Sequence, residues 1–196
     1  MRAWQHQSTA ENDRVAARLT GQRIVAVWYF LLAAGDEPKP SEWDFGAWHQ
    51  PTMGIQVATE QGGAFSAMWS HYQEWGFGVD LFDAPAAERL AAGGPWCQAE
   101  VTGHPAWSPL LGRPVTVSFL WNDFGTGKPP CPEAVKLASD SGSLWIMTAG
   151  WERHEGKLSI QLGLDDLLVI FSDKLIRALG LHDRDRGRER PANRRS

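Results

Sequence analysis

The residues best suited to chemistry by type and spacing are His71 and Glu74, which lie three positions apart. On a helix they would share a face and could ligate a metal or act as a base and its orienting partner. The segment lies between predicted strands, however, and no HExxH motif accompanies it. We therefore predict no metal and no cofactor, and keep a metal-dependent enzyme that uses His71 and Glu74 as an alternative hypothesis.

The other reactive side chains stand alone in the sequence. His49, His104 and His154 are each flanked by loop signals, which favours surface or turn positions. Cys97 and Cys131 form no CxxC motif, and a catalytic cysteine needs a histidine beside it in space. Walker, GxGxxG and GxSxG motifs are absent from the sequence. We assign no catalytic residue, and a non-catalytic protein is the favoured interpretation.

Aromatic residues are the feature that rises above background, because the chain has 11 Trp. Many fall in predicted loops or strand ends with acids among them, a composition typical of a protein interface. The same side chains could stack on a flat ligand, or could merely cover the open ends of the sheets. The predicted partner- or ligand-binding residues are Glu42, Trp43, Asp44, Trp48, His49, Trp69, His71, Tyr72, Glu74 and Trp75.

Internal similarity indicates that a β-rich unit is duplicated within the chain. Three blocks recur in the same order: residues 19–24 with 110–115, 55–65 with 135–145, and 79–83 with 169–173. The middle pair aligns over eleven positions without a gap and contains a glycine-bearing turn typical of a β-hairpin. Each copy therefore contains at least one hairpin, and the copies differ most in their connecting loops.

The predicted fold is β-rich α+β, with two antiparallel units of four or five strands, each followed by a short helix. A capping-box pattern that begins at Ser8 predicts an additional N-terminal helix. The predicted organisation is a lead-in and helix at 1–18, repeat 1 at 19–94, a linker at 95–109, repeat 2 at 110–181 and a disordered Arg-rich tail at 182–196.

Charge and composition limit the partners. The formal net charge is −4, and residues 183–196 carry six Arg against three acids, so the body before them is near −7. An acidic body disfavours nucleic acid, except through the tail, and could attract a basic protein. The N-terminus lacks an apolar signal core, and no apolar run approaches the ~20 residues of a membrane span. We expect a cytoplasmic protein without a membrane partner.

The leading functional hypothesis is a non-catalytic module that binds a partner protein through the Trp-rich loops of repeat 1. In composition the chain is similar to small cytoplasmic bacterial immunity and inhibitor proteins, which are acidic, aromatic and non-catalytic, although no motif is shared. An adaptor role fits the same features. The alternative hypothesis is a protein that binds a small ligand, a sugar or an aromatic metabolite, in a pocket between the two copies.

Overall fold

A computed structural model describes residues 6–34, 39–40, 42–72, 76–90, 96–122, 130–154 and 157–181. Glu74, Trp75 and the predicted tail at 182–196 lie outside the described residues. In chain order the elements are α1 (Thr9–Leu19), β1 (Ile24–Ala34), β2 (Lys39–Pro40), β3 (Trp48–His49), β4 (Gly54–Thr59), β5 (Ala64–His71), β6 (Phe77–Phe82), α2 (Ala86–Leu90), β7 (Trp96–Glu100), β8 (Thr116–Asn122), β9 (Cys131–Ala138), β10 (Ser143–His154), β11 (Lys157–Ile170) and α3 (Asp173–Ala178).

Two antiparallel sheets dominate the described residues, which confirms the prediction of a β-rich fold. The first sheet has the order β2–β1–β4–β5–β6, and β7 also pairs with β1. The second sheet has the order β3–β11–β10–β9–β8. Each half of the chain thus forms an antiparallel meander, β1–β4–β5–β6 and β8–β9–β10–β11, and a short helix follows each meander. Descent of the two halves from one duplicated unit stays a prediction.

The two predicted hairpins, β4–β5 and β9–β10, differ at their turns. In the first, the Thr59 amide donates to the Gly63 carbonyl at 2.9 Å, across a loop of three residues. Gly62 in that loop has φ 82°, a left-handed conformation that favours glycine. In the second, the Ser139 amide donates to the Gly142 carbonyl at 2.8 Å, across a loop of two residues. The alignment of residues 55–65 with 135–145 therefore needs a one-residue gap.

That gap decides which side chains correspond between the halves. Val57 pairs with Phe65 in the first hairpin, and Leu137 pairs with Leu144 in the second. Phe65 therefore corresponds to Leu144, whereas the ungapped alignment matched it with Trp145. A one-residue slip moves a side chain to the opposite face of a sheet. Trp145 accordingly lies in a different buried cluster from Leu144.

One buried cluster draws residues from both sheets. Ile55 and Val57 of the first sheet share it with Leu137 and Leu144 of the second. Trp107, from the predicted linker, is fully buried in the same cluster. The linker also contributes β7, which pairs with β1. The halves and their connection are therefore packed around common apolar side chains.

Helix α1 starts where its capping box predicts. The Glu11 amide donates to the Ser8 hydroxyl, and the Ser8 amide donates to the Glu11 carboxylate. Val15, Ala16 and Leu19 form its buried face. Asn12 is also buried on this helix, and its side-chain amide donates to the Asp80 carboxylate at 2.7 Å.

Candidate functional site

Two segments distant in sequence meet over β1 and bring together one carboxylate and two imidazoles. Asp44 and His49 come from the turn that enters β3, and His104 comes from the linker after β7. One ligand atom of each side chain lies within 4.8 Å of the other two. We call these three residues the Asp–His–His cluster.

The turn that carries Asp44 and His49 is held by its own backbone. The Phe45 amide donates to the Trp48 carbonyl at 3.0 Å, and the Gly46 amide donates to Asp44 Oδ1 at 2.8 Å. His49 pairs with Val169 of β11, so the second sheet fixes its backbone position. The turn therefore brings the His49 side chain close to the Asp44 carboxylate.

His104 is held by the turn that follows it. It is the N-cap of a single 3-10 turn, Pro105–Trp107, and its Nδ1 accepts a hydrogen bond from the Ala106 amide at 3.3 Å. Its Nε2 lies 3.2 Å from Asp44 Oδ2. Both ring nitrogens are thus engaged, and the ring points its Nε2 into the cluster.

Asp44 receives several favourable interactions. The Gly46 amide, with a smaller contribution from the hydrogen bond to His104, lowers the pKa of the carboxyl below its usual range. Its Oδ1 lies 3.6 Å from His49 Nε2, which is too long for a hydrogen bond. The carboxylate is therefore ionised at neutral pH and faces both imidazoles.

His49 is the buried member of the cluster, with no exposed surface. Its Nδ1 lies 2.7 Å from the Tyr29 hydroxyl, which also accepts a hydrogen bond from the Trp107 indole at 2.8 Å. Its Nε2 has no hydrogen-bond partner among the described residues. Burial, followed by the nearby His104, lowers the pKa of His49 to about 4, and Asp44 offsets this only in part. His49 is neutral at pH 7.

Aromatic rings surround the two imidazoles. The Trp43 ring meets those of His49 and His104 at centroid distances of 4.9 and 5.7 Å. Phe171 packs against His49 at 4.7 Å and against Trp107 at 5.8 Å. These rings restrict the movement of the imidazoles and keep water from the His49 side of the cluster.

A surface cleft of about 260 Å³ lies beside the cluster. Its lining includes Leu110 and Leu144 with Ser141, Ser143, Ala106 and Phe171. Phe171 also packs on His49, and the Ala106 amide donates to His104. This cleft is formed by the linker and the second half, whereas the cavity between the two halves, lined by Ile55 and Leu137 among others, measures only about 10 Å³. Binding of a small ligand stays a prediction.

The structure separates the predicted binding residues into different environments. Glu42, Asp44 and His71 are exposed, Trp43 and Trp69 are half-buried, and Trp48, His49 and Tyr72 are buried. Trp48 is 4% exposed and stacks on Phe45, so it does not present a surface to a partner. A partner-binding role for the exposed and half-buried members stays a prediction.

His71 stands apart from the cluster. It lies at the end of β5, where its ring contacts Phe77 at 5.2 Å. Among the described residues, the one group with metal-ligand spacing is Asp44, His49 and His104. Cys97 and Cys131 are free thiols, and burial raises the pKa of each, to about 12 for Cys131. Neither thiol is activated for nucleophilic chemistry.

Sequence reasoning missed the participation of His104, Tyr29 and Trp107. The sequence predicts surface or turn positions for His49 and His104, but the structure buries His49 completely and holds His104 against Asp44. The available signal was that both histidines border a Trp-bearing loop, which gives no distance between them. His49 and His104 are 55 positions apart in the sequence, and only tertiary packing brings them together.

Comparison with protein-family models, with curated proteins and with solved structures returned no match to this chain. Within the described residues, no helix has the length and apolar character needed to cross a bilayer.

Proposed function

We propose that this protein binds a divalent transition-metal ion through Asp44, His49 and His104. The observation that carries the proposal is the buried Nε2 of His49, which lacks a hydrogen-bond partner among the described residues and faces the other two ligands. A buried polar atom without a partner costs free energy, so native proteins rarely keep one without a reason. A bound cation supplies such a reason.

Two of the separations between ligand atoms approach those around a metal ion, and all three lie within 4.8 Å. Zn–N and Zn–O bonds of about 2.1 Å in a tetrahedral site place neighbouring ligand atoms about 3.4 Å apart. The Asp44 carboxylate oxygens lie 3.2 Å from His104 Nε2 and 3.6 Å from His49 Nε2. Two imidazoles and one carboxylate suit Zn²⁺, and also Fe²⁺ in facial three-ligand sites.

The cluster leaves coordination positions free for a further ligand. The side chains of Asp44 and His104 are 44% and 27% exposed, so solvent reaches the metal position from their side. Structural zinc sites are closed by four protein ligands, whereas catalytic sites keep a position open. The proposed centre is therefore of the open type and suits Lewis-acid chemistry on a small substrate.

Acid–base catalysis by an Asp–His pair is less well supported by the same geometry. A general base needs a ring nitrogen that can reach a substrate proton. His104 Nδ1 accepts from the Ala106 amide, and His49 Nδ1 lies against the buried Tyr29 hydroxyl. The remaining nitrogens face Asp44. Metal ligation uses the Nε2 atoms in the direction in which they already point.

The test is titration of the metal-free protein with Co²⁺, which gives visible absorption when bound by nitrogen and oxygen ligands. We expect one ion per chain by elemental analysis after dialysis against Zn²⁺ or Co²⁺. Asp44→Asn removes the negative charge of the carboxylate ligand, and His104→Ala removes one nitrogen ligand. They should weaken binding by more than the roughly 10–100-fold that loss of an outer partner costs.

His71→Ala is the matched control, because it removes an exposed imidazole remote from the proposed ligand set. It should leave the Co²⁺ spectrum and affinity unchanged. If His71→Ala lost metal binding and His104→Ala kept it, the metal would be bound by His71 and Glu74, as the alternative hypothesis states. Absence of a bound ion in the wild-type protein would refute the proposal.

Partner-protein binding is a second candidate, supported by the exposed acids Glu42 and Asp44 and the half-buried Trp43 at the edge of the cluster. A partner that supplies a ligand to the open position would unite both proposals. Pull-down with Trp43→Ala tests this candidate without the unfolding expected from truncation of the buried Trp48. Equal recovery of a partner by both proteins would exclude Trp43 from the interface.

A further inference from the structure

The outer edge of β11 is only partly covered. On this edge β3 pairs with Val169 and Ile170. Over the described part of the chain, the one other strand that pairs with β11 is β10, which lies on its opposite side. Residues 158–162 therefore form an open edge of the second sheet, where backbone N–H and C=O groups can pair with another strand. The open edge ends at Gly163, where β11 bulges away from β10.

The side chains of this open edge alternate regularly. Leu158, Ile160 and Leu162 are half-buried and pack against the second cluster of buried residues, whereas Ser159 and Gln161 are exposed. One face of the edge is therefore an apolar strip that is still partly open to solvent. Monomeric proteins usually protect such an edge with a charged residue or Pro, and residues 158–162 contain neither.

The pattern of the edge is symmetric about Ile160, because it alternates apolar and polar in the same order from either end. Antiparallel pairing with the same stretch of a second copy would place Ile160 opposite Ile160 and Leu158 opposite Leu162. A two-fold axis perpendicular to the sheet relates such strands, so both apolar strips would lie on the same face. No like charges would oppose each other across this axis.

The Arg-rich tail of the same chain does not suit this strip. Residues 182–196 contain six Arg and no Leu, Ile, Val, Phe or Trp, and an apolar strip is stabilised by apolar surface. A second copy supplies an apolar strip of matching length.

We propose that two copies of this protein form a homodimer in which residues 158–162 pair antiparallel about Ile160. The second sheets of the two copies then join into one continuous sheet. The apolar strips lie side by side and exclude water from each other. This dimer requires no bound metal, so it goes beyond the proposed function.

Cysteine cross-linking tests the register of the dimer. The two Ile160 Cα atoms would lie about 4.5–5.5 Å apart, within the range of a disulfide. Ile160→Cys should therefore form a covalent dimer under mild oxidation, as should a mixture of Leu158→Cys and Leu162→Cys. Leu158→Cys alone should not, because its two copies would be about 13 Å apart along the strands. The wild-type protein controls for Cys97 and Cys131 and should stay uncrosslinked.

Analytical ultracentrifugation tests the dimer itself. The wild-type protein should sediment with twice the 21.8 kDa mass of one chain. Ile160→Lys places two positive charges opposite each other and should sediment as a monomer, with circular dichroism to show that it is folded. Leu32→Lys is the matched control, because Leu32 is a 50% exposed residue of the first sheet, and it should stay a dimer.

A wild-type protein that is monomeric at every soluble concentration would overturn the proposal, as would a folded Ile160→Lys variant that stays dimeric. If Ile160→Lys fails to fold, cross-linking still decides. Absence of a covalent dimer in Ile160→Cys, or an equally abundant one in Leu158→Cys alone, would exclude pairing about Ile160.

Discussion

Two polar clusters that reach the interior of the described part of the chain, one around Asp80 and one around His49, are completed to different degrees. Asp80 is fully buried, and its carboxylate accepts hydrogen bonds from the Gln7 amide at 2.8 Å, from the Asn12 side-chain amide at 2.7 Å and from the Tyr72 hydroxyl at 2.7 Å. His49 is equally buried, but only one of its ring nitrogens has a hydrogen-bond partner among the described residues.

This difference separates a structural cluster from a functional one. The Asp80 cluster connects α1 and the segment before it to β6. The side-chain carbonyl of Asn12 also accepts a hydrogen bond from the Leu81 backbone amide. A buried carboxyl group that accepts from three donors stabilises one arrangement and has no free oxygen directed at a ligand. The Asp–His–His cluster keeps one buried nitrogen and an exposed carboxylate face, which favours an external partner.

The largest expected effect is on the completed cluster. Asp80→Ala removes the acceptor, which leaves the Asn12 side-chain amide unpaired in the interior and the Tyr72 hydroxyl with only a longer hydrogen bond, 3.4 Å, to the Gln7 carbonyl. We expect the free energy of unfolding to fall by about 4 kcal/mol, since each unpaired buried group costs about 1–3 kcal/mol. Urea denaturation followed by circular dichroism measures this loss. A decrease below about 1 kcal/mol would remove the distinction between the clusters.

The second effect is a dependence of the free energy of unfolding on pH, which arises at His49. The titratable groups that face His49 are Asp44, His104 and Tyr29. The pKa of His49 in the folded protein is about 4, below the 6.5 of a free histidine. The unfolded chain therefore binds more protons between these values, and stability falls as the pH decreases from 6.5 towards 4. The loss at pH 5 relative to pH 8 is about 2 kcal/mol.

His49→Gln should flatten this part of the stability curve, measured as the urea midpoint between pH 8 and pH 5. His71→Ala should keep the slope of the wild-type protein, because it leaves the surroundings of His49 unchanged. A wild-type curve that is flat down to pH 5 would contradict a neutral, buried His49.

The smallest effect is expected for Asp44→Asn on stability. The asparagine side-chain oxygen can still accept the Gly46 N–H, and the lost charge is partly exposed. The free energy of unfolding should change by less than about 1 kcal/mol, as for exposed charge pairs. The same variant should lose Co²⁺ binding. A large loss of stability would place Asp44 with Asp80 as a structural residue.

The elements of the fold were largely readable from local sequence. The capping box at Ser8 and the glycine-bearing turns specify a helix start and two hairpins through interactions within a few residues. The one-residue difference between the turns was not readable, because it changes hydrogen-bond register without changing the type of residue at each position. Local pattern also left open which tryptophans face inward, and Trp48 faces inward.

The candidate site was only partly readable. Asp44 and His49 lie in the segment that the aromatic composition singled out, but their predicted role was to contact a partner. His104 joins them through the packing of the 3-10 turn, in which Trp107 is buried beside Tyr29. No local pattern encodes that contact, since it depends on how the linker crosses the first sheet. Residue spacing instead drew attention to His71 and Glu74, a pair that is close only along the chain.

Strand β3 belongs to the first half by sequence and to the second sheet by hydrogen bonding. The halves are consequently interlocked. A polypeptide cut in the linker would yield a carboxyl-terminal piece in which Val169 and Ile170 of β11 lose their pairing with β3. An unpaired strand edge promotes self-association. The amino-terminal piece would contain β3 without the second sheet with which β3 pairs. Each fragment therefore needs the other to complete its packing. Co-expression of the two fragments should restore the folded, soluble complex that neither fragment forms when it is produced alone.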